Sequence, residues 1–281
     1  MAPDPAPPFP DAWRGLVDDA ATFPPGDADL GVALATYADR AAEWHSGLVG
    51  SFVVTDTHLA SVPADVPVSV VLTSGAGAVA GVAALAARKG LRVAGIEAAV
   101  RDADDPVGNV RRIDAAARAA EVDVPLFFEV PGPVTAAWLA AVDEVAACGH
   151  RLKLRLGNVD HDLVPSPATV AAWIDAALDR ETRFKATAGL HRAVRHDPEG
   201  GGAHGFLNVL AATQVLWDGG SVDDAAAVLE VRDGAALAAT DVAAARRWFT
   251  SFGSCSVTAP LEDLLALGLL APPTQHPTEQ P

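Results

Sequence analysis

Short apolar runs alternate with Ala-rich helical runs along most of this 281-residue chain, and that rhythm constrains the fold more than any single motif. The β-like runs are 50–55 (GSFVVT), 68–74 (VSVVLTS), 91–98 (LRVAGIEA), 125–131 (PLFFEVP), 151–157 (RLKLRLG) and 183–189 (RFKATAG). Helical runs at 78–90, 107–122, 134–149 and 167–180 lie between most of them. Gly90 and Gly149 are stop signals, and Ser166 followed by Pro167 is a start signal. Alternation at this spacing predicts a parallel sheet. After residue 204 the rhythm loosens. Helices are expected near 204–220, 222–233, 241–249 and 261–270, a weak seventh strand near 234–240 and a closing strand at 252–258. The predicted fold is α/β, a (β/α)8 TIM-like barrel, distorted or incomplete in its last units; a doubly wound sheet is the alternative. One domain over 11–270 is expected between disordered Pro-rich tails at 1–10 and 271–281.

Bulk properties exclude several function classes. The formal charge is −16, from 20 Lys and Arg against 36 Asp and Glu. Nucleic acid is therefore not an expected partner, because phosphate contacts need clustered cations. No apolar run reaches the ~18–20 residues of a membrane span. The start, MAPDPAPPFPD, lacks the basic and apolar regions of a signal peptide. Two cysteines, Cys148 and Cys255, make no disulfide framework. The expectation is a cytoplasmic protein with a small anionic metabolite as partner, no membrane, no cofactor and scope for homo-oligomerisation.

Side chains alternate across a strand, so each strand can be read for faces. Arg151, Lys153 and Arg155 share one face, opposite Leu152, Leu154 and Leu156. Lys185 and Thr187 oppose Phe184 and Ala186, and Glu129 lies with Phe127. The polar residues come late in their strands. In a barrel the carboxyl ends form the mouth, where active sites sit. Lys185, Lys153 and Glu129 are thus the catalytic candidates. Arg155, Thr187 and His191 are substrate-binding candidates at the rim, and Glu97 is a further member. A buried ion-pair network fixing strand register is the structural alternative, although ion pairs stabilise little for the desolvation they cost. A second segment, GGGAHGFLN at 200–208, suggests a glycine-rich lid and a helix start that suits an anion, with His204 and Asn208 as binding candidates.

Other motifs are weaker. Gly75, Gly77 and Gly81 give GxGxxxG after a strand, with Glu97 about twenty residues on; this approaches a dinucleotide fingerprint but departs from its spacing. Asp160, His161 and Asp162 could bind a metal but read better as an exposed polar loop. Cys255 reads as a small buried residue rather than a nucleophile.

FKATAGLH (184–191), HGFLN (204–208) and FGSCS (252–256) together resemble a bacterial family of hypothetical proteins with no established activity. The likeness runs from about residue 40 to 270. That family carries a second His where this chain has Arg192, and Thr-Gly-Gly where it has Leu156, Gly157 and Asn158. KLRLG (153–157) and FKATAG (184–189) are also similar to the lysine strands of class I aldolase barrels such as deoxyribose-phosphate aldolase. Those carry one lysine on each of two nearby strands.

The aldolase resemblance implies lyase chemistry through a lysine Schiff base on a small phosphorylated or carboxylated carbonyl compound. A free lysine titrates near about 10.4, so its amine must be made neutral by burial and neighbouring cations. Lys185, beside Lys153 and Arg155, is the expected amine, Glu129 the proton relay and Arg155 the anion clamp. Lys185→Met is then expected to abolish turnover and spare folding. Two alternatives stay open. One is an enolate-forming enzyme with a divalent metal on Glu97 and Glu129. The other is a non-catalytic phosphate- or carboxylate-binding protein.

Overall fold

The computed structural model describes residues 9–157, 164–197 and 202–273. Most of both Pro-rich ends, and the acid–histidine loop at 160–162, lie outside the described residues. Eight parallel strands form a closed barrel in sequence order: β1 (Val17–Asp19), β2 (Val49–Thr55), β3 (Pro67–Val71), β4 (Arg92–Ala99), β5 (Leu126–Glu129), β6 (Arg151–Arg155), β7 (Phe184–Thr187) and β8 (Phe249–Ser254). β8 closes on β1, with Asp18 beside Gly253. The fold is thus a TIM-like (β/α)8 barrel.

Helix α1 (Leu30–Arg40) follows β1 and α2 (Ala76–Lys89) follows β3. Then α3 (Pro106–Ala119), α4 (Ala136–Ala147) and α5 (Pro167–Asp179) alternate with the next strands. The cap signals work as their chemistry requires. Ser166 Oγ accepts the Thr169 N–H at 3.2 Å, and Gly90 ends α2 in the left-handed region at φ +65.

The last units are irregular, as expected, and so is the connection from β2 to β3. β2 and β3 are joined without an α-helix, through one 3-10 turn at Leu59–Ser61. Among the described residues three α-helices, α6 (Phe206–Trp217), α7 (Val222–Leu229) and α8 (Gly234–Ala238), separate β7 from β8, and α9 (Thr258–Ala266) follows. The weak strand at 234–240 is therefore helical; Asp233 caps it by accepting from Ala235 and Ala236 N–H. The helix expected at 241–249 is only a 3-10 turn, Ala245–Arg247, because Phe249 begins β8 and is fully buried. The missing eighth strand is β1, three buried residues, two of them aspartates.

The strand faces are as the alternation predicts. Leu152 and Leu154 join the shared hydrophobic core, while Lys153 between them is drawn into the buried charge cluster at the mouth. Phe128 turns outward and stacks on His150, ring centroids 5.2 Å apart. Ser51, Ser69 and Ser251 are buried inside the barrel on the Asp18 side, with Ser51 bonded to both Asp18 and Ser69 and Ser251 bonded to Asp18. Polar groups stand here where most barrels pack branched apolar ones. No helix among the described residues is long and apolar enough to cross a membrane.

Candidate active site

β6 and β7 pair in register with Lys153 opposite Lys185 and Arg155 opposite Thr187. Both lysines therefore stand side by side in the barrel. Neither is alone. The Lys185 ammonium, 1% exposed, donates to Asp18 Oδ2 and Glu97 Oε1, each at 2.7 Å. Lys153 Nζ lies 2.9 Å from Glu97 Oε2 and 3.2 Å from Glu129 Oε2. Arg155 Nε donates to the other Glu129 oxygen at 2.7 Å. The result is one chain of alternating charge that runs from the buried interior to the exposed rim: Asp18, Lys185, Glu97, Lys153, Glu129, Arg155. It draws on β1, β4, β5, β6 and β7.

Asp18 is its foot. Oδ1 accepts from the Ser51 N–H at 3.1 Å and the Ser51 hydroxyl at 2.7 Å; Oδ2 accepts from Ser251 Oγ at 2.7 Å as well as from Lys185. Phe127 packs under the Lys185 ammonium, 5.3 Å from ring centroid to Nζ. Gly95 makes room for that ring, since a Cβ there would sit 3.0 Å from Phe127 Cε2.

These contacts set the charges. Burial alone would discharge Lys185, but the Asp18 and Glu97 carboxylates beside it outweigh that and hold its pKa above the ordinary lysine value. Glu97 is opposed by the same burial, yet Lys153 and Lys185 bring its carboxyl down to about 2. Glu129 is likewise lowered against burial by Lys153 and Arg155. The expectation that neighbouring cations make Lys185 a neutral amine is therefore corrected. Its nearest neighbours are carboxylates, and it is a fixed ammonium.

A cavity of about 550 Å³ opens above this chain, and Glu97, Lys153, Arg155, Lys185, Thr187 and His191 all reach its wall. The turns after β6 and β7 touch there: a Cβ on Gly157 would lie 2.8 Å from Gly189 Cα. Ala188, at φ +60, is held in the left-handed region beside Gly189 at φ +76. Strain of this kind, of order 1–3 kcal/mol, is concentrated at functional sites. His191 Nδ1 lies 3.3 Å from Ser254 Oγ and 3.5 Å from Cys255 Sγ. Burial lowers the His191 pKa and raises that of the Cys255 thiol, so both are uncharged near neutrality.

Two candidates are placed outside the site. His204 and Asn208 are fully buried in the helical layer. His204 Nε2 donates to Pro165 O at 2.8 Å. Asn208 accepts from Arg195 N–H at 2.8 Å and donates to Val228 O and Val231 O at 2.9 and 2.8 Å. The α6 start is not an anion site either, because Phe206 and Leu207 N–H donate to Arg192 O and Ala193 O. These polar residues staple α6 to its neighbours. Asn208→Ala should accordingly lower the unfolding free energy by about 2–3 kcal/mol, since three backbone groups lose a buried partner. Urea denaturation measures it; an unchanged midpoint would refute the staple.

Arg192 pairs with Asp263 at 3.1 Å. Glu97, the acid that follows the glycine segment at 75–81, is turned into the barrel and taken by two lysines, which removes it from that segment. The metal reading fits no better. Lys153 stands between Glu97 and Glu129, and no three His, Cys, Asp or Glu side chains converge as a metal site among the described residues.

The strand pattern marks neither Asp18 nor Cys255 as part of this site. Asp18 sits in a strand too short to show a period. Cys255, read as a small buried residue, reaches the cavity wall because β8 ends there. No protein-family model matches the chain, and a search of curated proteins finds no match either.

Proposed function

We propose that the protein is a lyase of aldolase type, acting at the barrel mouth on a small anionic carbonyl compound through a Schiff base on Lys153. The observation that carries this reading is the unequal pairing of the two lysines. Lys185 is enclosed and bound by two carboxylates at 2.7 Å, which suits a permanent charge. Both lysines line the cavity, but Lys153 is the more exposed, 6% against 1%, and its second carboxylate is looser, at 3.2 Å.

Lys153 Nζ passes a proton to Glu129 Oε2, and the free amine adds to the substrate carbonyl carbon. Glu129 returns that proton to the carbinolamine oxygen, which leaves as water and gives the iminium. The bond between the α and β carbons of the iminium then breaks: its electron pair forms the enamine C=C, while the β-hydroxyl gives its proton to the Glu129 carboxylate and that fragment leaves as a carbonyl compound. Protonation and hydrolysis then release the product and restore the amine. Arg155, half-exposed at the rim, faces the anionic group of the substrate. A purely electrostatic phosphate holder is less well supported, because three carboxylates already balance the three cations of the chain.

The test is borohydride trapping of the whole protein with a panel of 2-oxo acids and phosphorylated aldehydes, followed by peptide mass spectrometry. A reduced adduct on Lys153 is expected. An adduct on Lys185 would refute the assignment of the amine, and no adduct with any member would refute the covalent mechanism.

A further inference from the structure

The cavity is sided. Its charged wall comes from β4 to β7. Across the closed barrel, β1 to β3 and the loop after β1 contribute Phe23, Pro24, Pro25, Val53 and Val71. Among the described residues that line the cavity on this side, none is charged. Phe23 is half-buried, and Pro24 and Pro25 are exposed at the rim, so this wall is open to whatever enters. At about 550 Å³ the space is within the range that encloses drug-sized molecules, and a three-carbon compound bound at Lys153 and Arg155 leaves the apolar wall facing water.

We infer that the ligand of this site is amphipathic: an anionic carbonyl compound whose far end is an aliphatic chain or an aromatic ring lying on the β1–β3 wall. The charged wall fixes the anion and the reacting carbon, and the apolar wall selects the tail. This deepens the proposed function by naming the substrate class, and it rests on that reading for the carbonyl alone. The tail preference follows from the cavity walls.

Isothermal titration of the full chain with acetate, butanoate, hexanoate and octanoate separates the two, because these probes cannot form a Schiff base. Affinity should rise about fourfold per added methylene while the wall is being covered. Phe23→Ala and, independently, the near-isosteric Val71→Thr should flatten that rise. A flat series, or no octanoate binding at millimolar concentration, overturns the inference; so does an unchanged slope in both variants. If trapping fails with every 2-oxo acid while the carboxylate slope persists, the covalent mechanism falls and the tail pocket stands. If trapping succeeds on Lys153 but the carboxylate series is flat, the reverse holds.

Discussion

Lys185→Met is expected to lose about 3–5 kcal/mol of stability in urea at neutral pH, against the sequence-based expectation that it spares the fold. Removing the ammonium leaves Asp18 with only the Ser51 N–H and the Ser51 and Ser251 hydroxyls. Glu97 keeps Lys153 alone. A buried carboxylate without its cation costs more than the pair was worth, and the cost is paid by the folded state.

The pH dependence follows from the same contacts. The lowered Glu97 pKa contributes stability that is complete above the ordinary value of 4.5 and is lost as pH falls towards about 2. The raised Lys185 pKa contributes stability that is complete below the ordinary 10.5 and is lost as pH rises through its higher folded value. The gap between wild type and variant should therefore be widest between these limits and narrow on both sides. Asp18→Asn added to Lys185→Met should recover a large part of the loss. A single variant as stable as wild type at pH 7 would show that the ion chain does not hold the barrel.

Lys153→Met should behave in the opposite way: little loss of stability, about 1–2 kcal/mol, and a loss of turnover of at least about a thousandfold. Each carboxylate it leaves still has a cation, Glu97 in Lys185 and Glu129 in Arg155. The activity is measured with whichever carbonyl compound the trapping panel identifies. Turnover retained in Lys153→Met would end its assignment as the amine. A stability loss as large as that of Lys185→Met would mean that the two lysines are not divided between support and chemistry.

Lys153, Lys185, Glu129 and Arg155 were legible as one cluster because strand alternation and the barrel rule are local facts. Their roles were not. A β-strand's period shows which way a side chain faces but not what stands opposite, and the opposing groups here are far away in sequence. Lys185 meets Asp18 167 residues off and Glu97 88 residues off. His204 and Asn208 failed for a related reason. A glycine-rich approach to a helix looks the same whether the helix start faces ligand or, as here, the carbonyls of Arg192 and Ala193.

The βα rhythm, the inward face of each polar strand and the end of the barrel at which those residues gather are all written in neighbouring residues, because backbone periodicity is local. The charge state of the site depends instead on contacts between distant segments. Closing the sheet through a three-residue β1 brought Asp18 against Lys185, and that carboxylate, with Glu97, keeps in charged form the amine that burial alone would have discharged.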